Sequence, residues 1–187
     1  MTTDFVIDTG ASLMNFTADF FTLFQLAPRF RLDLAELEAR YLALQGKVHP
    51  DRYARADERA RRLSMQMAAR VNEAYRALRE PLARARYLLS LAGHDAAESN
   101  VRMEPEFLIA QMEWREAVQE ARNGGEPHEL ERLRQRLALE MQDRYRRLAA
   151  LFDEQGDLPA AAEDVRQLMF LEKLRDDIED ALAFLDT

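Results

Sequence analysis

His49, Pro50 and Asp51 stand together between two stretches of regular apolar spacing, offering an imidazole, a rigid ring and a carboxylate at one point of the chain. Pro50 lacks an N–H and disfavours helical geometry at His49, so the chain must leave a helix there and present His49 and Asp51 on a turn. As a general base His49 would need an oriented partner and a pocket, and a turn between helices brings neither into evident reach. Carboxylates are plentiful elsewhere, but they fall on regularly spaced helix faces, and no phosphate-cradling Gly motif or His-rich run accompanies them. The 3 histidines are scattered at 49, 94 and 128 and cysteine is absent, which argues against a zinc site and excludes disulfides and thiolate ligands. The expectation is a protein that is not an enzyme, with no catalytic residue, no metal site and no cofactor of its own. If it serves metal-cluster chemistry, it cannot hold the cluster through its own thiolates.

The turn needs two elements to hold it. Before it, Leu34, Leu37, Tyr41, Leu44 and Val48 recur at three- and four-residue steps, the stripe of an amphipathic helix. Asp33 is placed to cap that helix, with Glu36 reaching back in capping-box fashion. After it, Leu63, Met67, Val71, Ala74, Tyr75 and Leu78 line one side of a segment from about 57 to 79. Two helices joined by a short polar loop pack antiparallel. Ahead of them, Phe20, Phe21, Leu23, Phe24 and Leu26 read as a short helix and its exit, ended before Pro28, whose rings cap the open end of the hairpin, and Phe30 and Leu32 extend that core. Behind them, Glu80-Pro81 marks a break. Pro81 then opens a further helix carrying Leu82, Tyr87, Leu88 and Leu91, which Gly93 ends.

Residues 1–18 show no helical or strand period and are expected to form a mobile leader. The small polar run from Ala92 to Asn100 is the best linker candidate, and the boundaries drawn are 19–95, a linker at 96–103, and 104–187. In the last of these, a helix from Phe107 to Arg122 is ended by Asn123-Gly124-Gly125. A second, near 127–153, carries Leu130, Leu133, Leu137, Met141, Tyr145, Leu148 and Phe152 at helical spacing. Gly156-Asp157-Leu158-Pro159 turns into a third with Val165, Leu168, Leu171, Leu174 or Arg175, Ile178, Leu182 and Leu185. Short turns force antiparallel neighbours, so this half is expected to be an up-down-up three-helix bundle.

Composition agrees with an all-α chain: 187 residues, 48% apolar, with only 6 Gly and 6 Pro. The net charge of −8 hides an asymmetry. Residues 20–95 hold 14 Lys/Arg against 9 Asp/Glu, whereas residues 96–187 hold 12 against 22, so a basic half precedes an acidic one and the two are expected to meet different partners. Nucleic acid is not among them, because no aromatic-interleaved basic stripe or groove-entering motif is present and the acidic half repels phosphates. No apolar run is long enough to span a bilayer, and Asp4 and Asp8 precede any basic residue, against a secretory signal, so no membrane association and a cytoplasmic location are expected. Neither half shows a leftover periodic seam, which favours a monomer.

A short aromatic helix, a capped helix, His49-Pro50-Asp51 in the following loop and Asn72-Glu73-Ala74-Tyr75-Arg76-Ala77-Leu78 beyond it resemble the J-domain of the DnaJ co-chaperones. Three further stretches narrow the resemblance: Glu80-Pro81-Leu82-Ala83-Arg84-Ala85-Arg86-Tyr87-Leu88-Leu89, Phe107-Leu108-Ile109-Ala110-Gln111-Met112-Glu113-Trp114-Arg115-Glu116, and Ala160-Ala161-Ala162-Glu163-Asp164-Val165-Arg166 running into Phe170-Leu171-Glu172-Lys173-Leu174-Arg175. Together they are similar to the HscB family of iron-sulfur-cluster co-chaperones, over about residues 19–185. The resemblance implies a J-domain followed by a three-helix bundle. It implies a J-domain that stimulates the ATPase of a DnaK-like chaperone of the HscA type, and a bundle that binds the cluster scaffold IscU and delivers it, aiding cluster transfer. It assigns chaperone binding to His49, Pro50 and Asp51, where the turn's carboxylate and ring can pair with an arginine on the ATPase and bias it toward hydrolysis. Arg40, Lys47 and Arg52 flank that turn and are expected to steer docking, although Arg40 and Lys47 also read as solvated helix charges. Leu42, Ala43 and Gly46 occupy the stretch where many J-domains place Lys or Arg, a departure compatible with a dedicated chaperone partner.

On the bundle the resemblance assigns scaffold binding to Leu108, Ile109, Met112, Glu113, Glu116 and Glu120, with Phe170 from the last helix. Spacing puts 109, 112, 113, 116 and 120 on one stripe, while Phe107, Trp114, Val118 and part of Leu108 can turn elsewhere. Periodicity alone leaves open whether Leu108, Ile109 and Met112 fill the core or form a surface; an adaptable Met in an apolar patch ringed by Glu suits a protein-binding surface. A J-protein recruiting a different client through its acidic bundle is the competing reading.

Overall fold

The computed structural model describes residues 18–49, 57–94 and 105–185. The expected leader up to residue 17, the expected linker at 96–103, and Pro50, Asp51 and Arg52 lie outside the described residues. Among the described residues there are seven α-helices and no strand: α1 (Phe20–Leu23), α2 (Leu34–Val48), α3 (Glu58–Arg79), α4 (Pro81–Leu91), α5 (Pro105–Gly124), α6 (Pro127–Ala150) and α7 (Leu158–Leu185). The chain divides into two compact units, Met1–Tyr87 and Leu88–Thr187, and the division falls within α4.

In the first unit α2 begins where its cap places it: the Asp33 carboxylate accepts from the N–H groups of Ala35 and Glu36, at 2.9 and 3.2 Å. Glu36 does not complete a capping box; its carboxylate pairs with Arg40 one turn on. α3 opens on Asp57, whose carboxylate accepts from Ala60 N–H at 2.7 Å. Leu37 and Val48 of α2 and Met67, Val71, Ala74 and Leu78 of α3 are buried, with Tyr41 and Leu44 half-buried. Each buried large side chain contributes about 1.5–3 kcal/mol of transfer free energy. Leu34, expected on the stripe, is exposed, because it is the first residue of α2 and projects past the helix it would have to meet. The register of the hairpin is fixed by polar and aromatic contacts: the Tyr41 hydroxyl bonds Asn72 Oδ1 at 2.9 Å, and the Tyr41 and Tyr75 rings stack at 4.1 Å.

α1 packs on α3, with Phe21 and Phe24 buried. Asp19 caps α1 through Thr22 N–H, and Tyr87 of α4 accepts the Phe20 N–H at 2.8 Å while its ring stacks on Phe20 at 4.3 Å. The exit of α1 forces Gln25 to a φ of 55°, a left-handed conformation rarely taken by a side-chain-bearing residue. The Arg40 guanidinium donates to the Phe24 and Gln25 carbonyls and so fastens this exit. Arg84, only 6% exposed, does the same at the end of α3: it donates to the Leu78 carbonyl and lies 5.2 Å over the Phe30 ring.

In the second unit α4 ends at Gly93, whose φ of 77° lets His94 N–H reach back to the Leu89 carbonyl at 2.9 Å. Leu91, expected in a core, is exposed at this last turn. α5, α6 and α7 pack on one another as the expected bundle. Leu130, Leu133, Leu137, Met141 and Leu148 of α6 and Val165, Leu168, Leu171, Leu174 and Ile178 of α7 are buried. Gly125, at φ 66°, closes α5, and Glu126 N–H bonds the Ala121 carbonyl at 2.9 Å. α6 stops at Ala150 rather than 153, and a π-helical turn over Leu151–Gln155 follows. The wider turn keeps Leu151 buried before Gly156 reverses the chain.

Candidate functional site

The first candidate lies at the end of α2. Val48 is buried and anchors the helix, and His49 then leaves it with φ −56° and ψ 128°, the extended geometry that a following proline imposes. His49 is exposed, and Lys47 is exposed in the last turn, where a cation is favoured by the helix dipole. Arg40, expected to flank the turn, is half-buried more than two helical turns before it. Its guanidinium is engaged by two carbonyls and by Glu36, which directs its charge to the α1 exit.

The second candidate is one face of α5. Leu108, Ile109 and Met112 are 47%, 57% and 61% exposed, while Phe107, Trp114, Val118 and Ala121 of the same helix are buried. The alternative left open by periodicity is thereby decided, because the opposite face supplies the core. Glu113, Glu116 and Glu120 are exposed and border the apolar residues. Among the described residues the other exposed large apolar side chains, Leu34, Leu42, Met65, Leu91, Leu139 and Phe184, are dispersed over five further helices, so of the described helices only α5 gathers three within five residues. Phe170 of α7 is half-buried at the edge of this face. Phe107 meets its ring edge-on at 5.8 Å, and the Arg115 guanidinium covers it at 5.2 Å.

Behind Phe107 lies a charged cluster that periodicity did not single out. Asp164 of α7 is 1% exposed and faces Arg147 at 3.1 Å and Arg144 at 3.7 Å. Arg144 also meets Glu140 at 3.3 Å, bonds Gln167, and lies 5.8 Å over the Phe107 ring. Burial pushes the Asp164 carboxyl above its ordinary value, outweighing the pull of Arg147 and Arg144. The sequence did carry a signal for it: residue 164 lies three after Ala161 and four before Leu168, inside the apolar stripe of α7. Arg84 carried none beyond its place one turn after Pro81. Among the described residues no group of His, Cys, Asp and Glu has the arrangement of a metal site, and no helix is long and apolar enough to cross a membrane.

The family model described as the HSCB C-terminal oligomerisation domain matches residues 103–179, which takes in α5, α6 and most of α7. A co-chaperone protein HscB homolog of Azoarcus sp. (strain BH72) is 55% identical over 169 residues, spanning 90% of this chain and 96% of that protein. Among solved structures, the chaperone HscB from Vibrio cholerae aligns with a TM-score of 0.80 at 35% identity, covering 90% of this chain and 99% of the other. The human co-chaperone protein HscB aligns at 0.85 with 27% identity, covering 96% and 90%. With a likeness to a curated relative that runs through both units at this identity, the chain belongs to the HscB family of co-chaperones.

Proposed function

We propose that this chain works in the cytoplasm as a co-chaperone of iron-sulfur cluster biogenesis, coupling an IscU-type scaffold to an HscA-type, DnaK-like ATPase. The first unit supplies a J-domain whose His49-Pro50-Asp51 turn, flanked by Lys47 and Arg52, engages the ATPase and favours its hydrolysis-competent state. The second unit holds the scaffold on Leu108, Ile109, Met112 and Phe170, with Glu113, Glu116 and Glu120 as an acidic rim. No bond is made or broken by this chain; its action is an allosteric bias plus delivery. The cluster is cargo and stays on the client, since the chain has no cysteine to take it. The observation that carries the reading is the exposed Leu108-Ile109-Met112 patch on a helix whose other face is fully committed to the core.

The test is the steady-state ATPase of an HscA-type chaperone with the full chain, with and without the scaffold, comparing wild type with His49→Gln. Wild type is expected to stimulate on the order of tenfold, within the usual range of allosteric coupling, and further with scaffold present. His49→Gln is expected to abolish both. Stimulation indifferent to the scaffold would point to a different client, and no stimulation of either an HscA-type or a general DnaK would overturn the reading.

A further inference from the structure

Arg144 of α6 is held on several sides. Its guanidinium bonds Gln167, meets Glu140 at 3.3 Å and Asp164 at 3.7 Å, and lies 5.8 Å over the Phe107 ring. Holding so long a cationic side chain costs it rotamer freedom, and burying Asp164 to anchor it costs hydration. At that carboxyl burial outweighs the pull of both arginines. Stability therefore gives no reason for the cluster, whereas its place in the bundle does. Phe107 is the buried residue just before the exposed Leu108 and Ile109, and its ring meets Phe170 of α7 edge-on at 5.8 Å. The apolar face of α5 and the Phe170 ring are thus joined through the ring that Arg144 covers. On the other side of that pair, the Arg115 guanidinium lies 5.2 Å over Phe170.

We infer that Arg144 is a positioning residue for the scaffold surface: it holds the Phe107 ring and through it sets where Phe170 stands beside Leu108, Ile109 and Met112. The inference rests on the scaffold role proposed above. Arg144 acts without touching the scaffold. A cation is drawn to the face of a ring and a second ring meets that ring by its edge, so both contacts fix orientation as well as distance. A binding surface whose rings are already ordered pays less entropy when the complex forms.

The experiment is calorimetric titration of an IscU-type scaffold, without cluster, onto the full chain, for wild type, Asp164→Asn, Asp164→Asn/Arg144→Met and Asp164→Asn/Arg144→Lys. The Asn background leaves no carboxylate stranded when the guanidinium is removed. Asp164→Asn is expected to bind as wild type does, since Arg144 keeps Glu140 and Gln167. Adding Arg144→Met is expected to raise the scaffold Kd about tenfold through the lost ordering. In the free protein, the Phe170 ring signals of selectively labelled NMR samples are expected to shift and broaden in that variant. Urea unfolding is expected to show every variant fully folded without denaturant, so that a lowered midpoint cannot by itself weaken binding. Arg144→Lys, which returns a cation to the ring, is expected to recover part of the affinity. Unchanged affinity in the Met variant, lost affinity with unmoved Phe170 signals, or no recovery with Lys would each overturn the inference. Should the Met variant unfold by circular dichroism, Arg144→Gln in the same background is held to the same directions. Wild type that binds no scaffold would remove the proposed client and this inference together; wild type that binds, with an indifferent Met variant, would remove the inference alone.

Discussion

The two units differ in what several of their arginines reach for. In the first, Arg40, Arg70 and Arg84 turn inward to main-chain carbonyls at Phe24, Ala18 and Leu78, and Arg70 and Arg84 also lie over the Phe20 and Phe30 rings. In the second, Arg132, Arg134 and Arg146 pair with carboxylates one turn away on their own helix. The cause is connectivity. The irregular segments around α1 and between α3 and α4 leave carbonyls that need donors, whereas the bundle's glycine turns satisfy their own. The candidate sites follow the same division. The hairpin keeps its facing stripes for packing and leaves His49 exposed where α2 ends, while the bundle leaves one face of a helix apolar and in solvent.

The sharpest way to break that comparison is on α5. If the exposed face is a binding surface, Ile109→Asp with Met112→Asp should abolish the scaffold-dependent part of ATPase stimulation, by about 2 kcal/mol or more in scaffold affinity. Folding stability should change by no more than about 0.5 kcal/mol, as for other exposed positions. Trp114→Ala, two residues beyond Met112 but turned to the core, should cost about 3–5 kcal/mol of stability. Urea unfolding of the two variants, read beside the scaffold titration, separates the faces. A destabilised Ile109→Asp/Met112→Asp protein would return the patch to the core.

A smaller effect tests the inward arginines. Arg84→Met keeps much of the stem's packing but removes the donor to Leu78, leaving a buried carbonyl unpaired at a cost of about 1–3 kcal/mol. Arg132→Ala in the bundle, whose partner Glu129 is itself accessible, should cost less than about 0.5 kcal/mol. Thermal unfolding by circular dichroism should rank them in that order. Equal midpoints would mean that the carbonyl is as well served by water.

Helix positions were legible because each amphipathic stripe was bounded by a chemical stop. Asp33 before α2, Pro81 at the head of α4, and the glycines at 93 and 125 mark ends that the structure keeps. The end of α2 at Val48 was legible for the same reason, since a following proline acts through its own ring on the residue before it and needs no tertiary context. The α5 face was half legible: spacing grouped Ile109 and Met112, but a stripe of apolar residues reads alike whether it meets another helix or water. Arg40 and Arg84 were not legible in their inward roles, because a charged residue at a helical position gives no hint of carbonyls arriving from distant segments. The cut-off of α6 at Ala150 was hidden too, since a π turn preserves apolar residues while changing the period.

Asp164 offers the most delicate test, because a buried ion pair is easily credited with stability it does not supply. Its carboxyl is pushed up from the ordinary 3.8, chiefly by burial, in spite of Arg147 and Arg144. The folded protein therefore holds the proton more readily than the unfolded chain. The stabilisation from this group is fully present below the unfolded value and is lost as pH rises through the folded one. Asp164→Asn, a mimic of the protonated form, should thus be at least as stable as wild type near pH 7, with the difference vanishing below about pH 4. No cation is stranded by the change: Arg147 stays largely in water and Arg144 keeps Glu140 and Gln167. Asp19 provides the opposite sign. Burial also raises its carboxyl, but the hydrogen bonds from Thr22 side chain and backbone outweigh it and hold the group below its ordinary value. Its stabilisation is present near pH 7 and lost as pH falls through the folded value, so Asp19→Ala should cost about 1 kcal/mol at neutral pH and progressively less in acid. Urea unfolding of both variants from neutral to acid pH should therefore give curves that approach wild type from opposite sides; a clear loss of stability in Asp164→Asn at pH 7 would show that the arginines, and not burial, dominate at that site.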